Sequence, residues 1–425
     1  MTNSRRTNSE GVWRLFLLFV AGLLVVATAT DASAGSQSAS VRGHGNRQSV
    51  RPSQENTPGS NEVASKPGPK SLRARENCSS PDPAGRGTCW SISSEGSSGM
   101  LARHPSNAAA IAYPEWCADA IGGVRGVRTK VCESTPNARF QTYKTVDGVR
   151  TVTGEANIVV ISYSYGDTGL STIGHALTLS ATSSWGDTTG ATYTAVAESV
   201  DSKCPLDAPS SFTGAVSPLN TWGEGEAFFA STATTSGDVE YCPTSWGVTF
   251  TAPGYAESTT GHFSFDEFRC DNATEGRTAA GCVVPWYAST LYYPSATYPE
   301  LASHVARAQA SGLPGATFDA PLTRLYNGTS SELNRQMACG DAPSVTGKSC
   351  DEYPIALSEQ GLAFGGTRRT FSGCSMAGVP SGTGPSGVSA CMIKAQENNA
   401  QGGLNTQFFR RERVLLHDPF RVDPS

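Results

Sequence analysis

From residue 141 onward, apolar and polar positions alternate in short bursts. Residues 141–152 interleave Thr, Tyr and Val with polar side chains around Asp147-Gly148, which predicts a hairpin. Residues 158–165, 175–180, 191–196, 246–251 and 262–265 repeat the period of two, each bounded by Gly, Asp or Asn. Many short Thr- and Ser-rich strands of this kind predict a two-sheet antiparallel sandwich. After Cys282 the texture changes. Residues 286–293 read as one more strand. Pro299 then stands where a first helical residue belongs, with Glu300 in the first turn, and Leu301, Val305 and Ala308 form one apolar face that ends at Gly312. On this pattern His304 and Arg307 fall off the apolar face. The expected fold class is α+β: an N-terminal antiparallel β-rich, sandwich-like domain, then a small disulfide-stabilised domain.

Two stretches near the N-terminus lack the pattern. Arg5, Arg6 and Arg14 flank an apolar run at 15–27, and Ala32-Ser33-Ala34 follows, so residues 1–34 read as a signal peptide. Residues 35–76 are rich in Gly, Ser, Pro, Asn and Gln and are expected to be a disordered basic linker or propeptide. The remaining boundaries are expected at 77–283 for a disulfide-containing β-rich accessory domain and at 284–425 for the second domain. A secreted, extracellular location follows from the leader, with no stable membrane association after its cleavage.

Cysteine usage agrees with export. All twelve cysteines lie after the leader, and no C-x-x-C pair is present to make a zinc cage. Pairing of neighbours is expected: Cys78 with Cys89, Cys117 with Cys132, Cys204 with Cys242, Cys270 with Cys282, Cys339 with Cys350 and Cys374 with Cys391. Each short loop closed in this way contributes about 2–4 kcal/mol. The formal charge of −5 is unevenly spread: net +5 over residues 35–130, −12 over 131–300 and +1 over 301–425. The middle third is therefore a poor partner for a polyanion, while the last third carries Arg410, Arg411 and Arg413 close together. Asp266 and Glu267 are adjacent acids without oxygen-rich neighbours, and are expected to be surface carboxylates.

The chemistry concentrates at Ser349-Cys350-Asp351-Glu352-Tyr353-Pro354. Pro354 cannot continue a helix, so the two carboxylates are expected at a strand end or turn. Residues 396–403, Gln-Glu-Asn-Asn-Ala-Gln-Gly-Gly, are expected to form an oxygen-rich turn, followed by a helix carrying the arginines. A carboxylate pair, an amide-rich turn and an arginine cluster together point to a divalent cation and a phosphate.

These motifs carry a resemblance. Leu291-Tyr292-Tyr293-Pro294, Tyr298-Pro299-Glu300, His304, Cys350-Asp351-Glu352-Tyr353-Pro354, Glu397-Asn398 with Gly402, and Arg413-Val414-Leu415-Leu416 stand in the order and approximate spacing of the NucA/NucB family of secreted bacterial deoxyribonucleases. About residues 285–425 resemble that family, roughly a third of the chain. The resemblance implies a ββα-metal (His-Me finger-like) nuclease domain and a DNA endonuclease of little sequence specificity that uses Mg2+ or Mn2+. It implies Asp351 as general base and Glu352 as a neighbouring metal or hydrogen-bonding group. Glu397, Asn398 and Gln407 are then expected around the metal, and Arg410, Arg411, Arg413 and His304 toward the DNA. Gln407 departs from the family in being neutral where a carboxylate is expected. The alternative is a non-catalytic envelope or extracellular binding protein with a degenerate nuclease domain. In either case the β-rich domain has room for a ligand of its own.

Overall fold

The computed structural model describes residues 62–67, 76–93, 112–326 and 328–425. The expected signal peptide lies outside the described residues, as does most of the expected linker. Residues 62–67 are an exception: the strand Ala64–Ser65 pairs antiparallel with Arg125–Val127, and Ala64 is buried. This piece of the expected linker is therefore part of the fold. Its low apolar content is offset by a ready-made sheet edge that satisfies its backbone.

Two antiparallel sheets build the β-rich part. An eight-stranded sheet has the long strands Lys130–Val146, Val149–Asp167 and Leu170–Gly186 at its centre, with Trp222–Ala230 beside them and Arg86–Ser93 added on Lys130–Val146. A five-stranded sheet runs Gly281–Val283, Gly261–Asp271, Val239–Thr251, Thr192–Ser199, Ser211–Ala215. The first hairpin turns at Asp147-Gly148, whose φ angles are both positive, as a primed turn requires. Inward positions of the two sheets meet in one apolar cluster: Phe140, Ile158, Leu177 and Phe229 from one face, Tyr193, Trp246, Phe250 and Phe263 from the other. Burying a side chain of this size contributes about 1.5–3 kcal/mol, so alternation alone specifies which face turns inward.

The C-terminal part has three α-helices, α1 (Pro299–Ala310), α2 (Thr329–Cys339) and α3 (Ala395–Arg411). The strand Lys348–Tyr353 pairs antiparallel with Val388–Lys394, and α3 follows that second strand directly. A separate small sheet sets Pro419–Asp423 parallel to Ser289–Tyr292. The fold is thus α+β, mostly antiparallel sheet with few helices. One expectation fails here: residues 396–403 are not a turn but the first half of α3. Gly402 and Gly403 cost that helix about 1 kcal/mol each relative to Ala. Leu404, Phe408 and Phe409 anchor it in the core and override the local preference.

All six neighbour disulfides are present. They fit an oxidising compartment. Among the described residues, no helix is long and apolar enough to cross a membrane. The described residues form one compact unit. The two sides of the expected boundary at 283 and 284 share a buried charge cluster. Asp418 accepts from Arg128 at 3.1 Å and from Arg269 at 2.6 Å, and Asp271 pairs with Arg413 at 2.8 Å. Arg413 was expected to face DNA. It is fully buried, and its guanidinium donates to the Asp271 carboxylate and to the carbonyls of Thr168, Asp271 and Ala279. A charge run in sequence does not reveal which member finds a buried carboxylate 142 residues away. Glu267 is a second correction. It is buried against Lys66, at 2.6 Å, and the Trp286 indole N–H, whereas Asp266 is exposed as expected.

Candidate active site

Strand alternation decides the first feature of the site. In Lys348–Tyr353, Cys350 and Glu352 share one face while Asp351 and Tyr353 share the other. Cys350 is bonded to Cys339 of α2, so Glu352 also turns toward α2. Burial, and then the charge of Asp351, push the Glu352 carboxyl up to about 8. The two acids are adjacent in sequence but serve opposite faces. Glu352 cannot join Asp351 around one reacting group.

Asp351 points at α1. Its Oδ2 lies 2.6 Å from His304 Nδ1, and His304 Nε2 lies 2.7 Å from the Ser389 hydroxyl. All three residues are buried. His304 is therefore not off the apolar face. It follows Leu301 by three residues and precedes Ala308 by four, within the inward stripe of α1, because that stripe is wide enough to include the 304 position. With the Nδ1 proton donated to the carboxylate, Nε2 is left to accept from Ser389. The other oxygen, Asp351 Oδ1, is buried without a partner. A buried carboxylate oxygen left in this state costs more than a neutral group would, and marks a place where a water or a cation belongs.

The surroundings of Asp351 are polar. The Tyr293 hydroxyl donates to Asn405 Oδ1 at 2.7 Å, and burial followed by the Asp351 charge raises its pKa well above the usual phenol range. Asn398, on the first turns of α3, donates to Ser349 Oγ at 2.9 Å and to the Cys350 carbonyl at 2.8 Å. It thereby ties α3 to the strand beside Asp351, and its carboxamide oxygen is left over for another partner.

The expected metal set does not converge. Glu397 accepts from the backbone N–H groups of Glu300 and Leu301 at 2.8 and 3.1 Å, and pairs with Lys394. It caps the N-terminus of α1, where the helix dipole favours a carboxylate. Gln407 is exposed and lies nine residues beyond Asn398, on the opposite side of α3. Of the expected set, the Asn398 carboxamide oxygen has no other partner among the described residues, and Asp351 Oδ1 is likewise unpaired on the adjacent strand. Elsewhere among the described residues, Glu76, Cys78 and Cys89 sit close together, but the two cysteines are a disulfide and offer no thiolate.

Of the expected DNA contacts, Arg410 and Arg411 are exposed on α3. Arg411 is engaged by Glu412 at 2.8 Å, and Arg410 donates to the Glu275 carbonyl at 3.1 Å. Sequence reasoning did not anticipate Ser389. Its signal was a single hydroxyl in the otherwise apolar run 388–393, on the same face as Cys391. Compared with known proteins, the chain matches no family model, no curated protein and no solved structure.

Proposed function

We propose that this protein is a secreted, metal-dependent endonuclease that hydrolyses DNA phosphodiester bonds with little sequence specificity, and that Asp351 is its general base. The supporting observation is the unpaired Oδ1 of Asp351, a carboxylate oxygen held in place through its other oxygen by His304. In this function the strand pair and α3 act as a ββα unit of the NucA/NucB kind.

Asp351 accepts a proton from a water at Oδ1 while that water's oxygen attacks phosphorus. The P–O bond to the leaving oxygen then breaks, the leaving oxygen takes a proton from solvent water and Asp351 returns its own to solvent, giving a phosphate monoester and a free hydroxyl. Ser389 orients His304, and His304 holds Asp351, so both are positioning residues. The connectivity Ser389–His304–Asp351 is also that of a nucleophilic triad. In the nuclease function Ser389 is the anchor of His304, bonded to Nε2 at 2.7 Å, and Asp351 carries the proton transfer. A bound Mg2+ or Mn2+ supplies charge neutralisation at the phosphate. Asn398 is the α3 residue that offers it an oxygen.

The test is plasmid nicking by the oxidised mature protein with Mg2+ or Mn2+, with chelator, and with Asp351→Asn alongside. Metal-dependent nicking that falls about 10²–10⁴-fold in the variant is expected. A folded parent that nicks under no metal leaves the non-catalytic binding protein as the better account. A variant as active as the parent removes Asp351 from the mechanism.

A further inference from the structure

A second constellation lies farther along α3. Asn398, Gly402, Thr406 and Arg410 follow one another at spacings of four, so each neighbours the next along one ridge of α3 that winds about 120° around the helix from first to last. Open space surrounds the positions where Gly402 and Gly403 would carry a Cβ, which leaves that ridge bare. At one end Asn398 touches the strand that holds Asp351. At the other end, Thr406 and Arg410 border a cavity of about 240 Å³. The distance along the helix from Asn398 to Thr406 is about 12 Å, which corresponds to three or four nucleotides of a DNA strand at about 3.4 Å each.

Arg324 distinguishes this cavity. It lines the wall and is 9% exposed. Its guanidinium lies over the Phe409 ring at 4.1 Å and near the Tyr326 ring at 5.6 Å. One side-chain hydrogen bond is formed, to the Val414 carbonyl, and Nε is buried without a partner. Other buried arginines are matched: Arg128 and Arg269 by Asp418, Arg413 by Asp271. Arg369, which also lacks a carboxylate, donates to the carbonyls of Ser311, Gly384 and Ser386. Among the described residues, no carboxylate forms an ion pair with Arg324. Its charge persists, since guanidinium does not deprotonate in proteins. Arg410 adds a second cation to the rim, and Glu275 opposes it with one acid. Tyr326 is 49% exposed and presents an aromatic ring at the mouth.

We propose that this cavity is a nucleotide subsite, in which Arg324 and Arg410 hold one phosphate of a DNA strand laid along α3 and Tyr326 stacks an adjacent base. Guanidinium groups bind phosphate in a bidentate fork, and an aromatic ring accepts any base. The subsite rests on the nuclease function proposed above, and would hold the strand several nucleotides from the Asp351 centre.

Binding of a labelled single-stranded 8-mer in chelator separates the two proposals, because it requires no cleavage. Tyr326→Ala and Arg410→Gln are exposed changes that leave the fold intact, and Arg324→Gln is added with its melting temperature checked. Each exposed variant is expected to weaken binding about tenfold. Arg410→Gln should also lower the salt dependence by about one phosphate contact. In nicking, both should raise KM more than they lower kcat. Inorganic phosphate should compete only weakly. Variants that bind the 8-mer like the parent overturn the subsite, as does a parent that binds no 8-mer. Phosphate competing as well as the oligonucleotide also overturns it, since the cavity would then be a free-anion site. An 8-mer that binds through these residues in a protein that never nicks leaves the subsite standing and removes the nuclease function.

Discussion

His175 and His304 are equally sealed in the protein, one in each region, and they face different company. His175 lies in the strand Leu170–Gly186. Its Nε2 meets the Ser162 hydroxyl at 2.8 Å, its Nδ1 has no partner, and Phe229 and Phe265 flank the ring. His304 has a carboxylate on one nitrogen and a hydroxyl on the other. Burial pulls His175 down to about 3 and leaves it neutral and inert. The carboxylate beside His304 has an oxygen to spare. Burial therefore says little about a histidine's role. What decides is whether it holds a carboxylate whose second oxygen is unpaired. The two surroundings differ in the same sense: aromatic rings flank His175, while His304 sits with the buried Asp351 and Ser389.

The seam between the regions is the most sensitive point of this contrast. Asp418→Ala leaves Arg128 buried without a carboxylate and Arg269 with only its 3.5 Å contact to Asp271, which costs about 3–5 kcal/mol. Chemical denaturation followed by both tryptophan fluorescence and far-UV circular dichroism should show one transition moved to lower denaturant. Loss of the C-terminal signal alone would mean that the two regions are separately stable.

Acid should act through the sandwich. His175 is about 3 in the fold against an ordinary value of 6.5, so the unfolded chain binds the extra proton between those limits. Its contribution is complete above pH 6.5 and is lost as pH falls toward 3, at about 1.4 kcal/mol per unit. Melting of His175→Gln across pH 3–7 should show a flatter acid limb than the parent. An unchanged limb would place the acid sensitivity elsewhere.

The two histidines should separate cleanly in activity. His304→Gln is expected to lower nicking about 10–100-fold, as for residues that orient a reacting ligand. His175→Gln should leave the nicking rate per folded molecule unchanged. Equal effects would remove the distinction drawn between them.

The smallest expected effect is on the other side of the Asp351 strand. Glu352 is raised to about 8 in the fold, so the folded protein binds the extra proton between pH 4.5 and 8. Its stabilising influence is present below pH 4.5 and is lost as pH rises through 8. In chelator at pH 9, Glu352→Gln should be about 1 kcal/mol more stable than the parent, a modest value because the group is partly exposed to solvent. No gain would mean that solvent already relieves the charge.

Much of this was readable from residues that act locally. The Asp147-Gly148 turn, Pro299 at the start of α1, Gly312 at its end and the Pro354 stop each depend on backbone geometry at one or two positions. Strand alternation specified the inward face of the sandwich. The cysteines could be paired as neighbours because short loops bring them together, and all six pairs are present. Sequence also singled out Asp351 and Asn398, which lie on the strand and helix that Asn398 ties together.

Other roles depend on partners remote in the chain, and only the tertiary structure decided them. Arg413 is consumed by Asp271, Glu397 by the N-terminus of α1, and Gln407 by solvent, although all three looked available. α3 runs through two glycines because Phe408 and Phe409 hold its far end in the core. Ser389 and Arg324 gained their importance from what packed around them. A local pattern encodes backbone shape and the sign of a face. Charges and hydrogen bonds act through space, so their use is decided when distant segments meet.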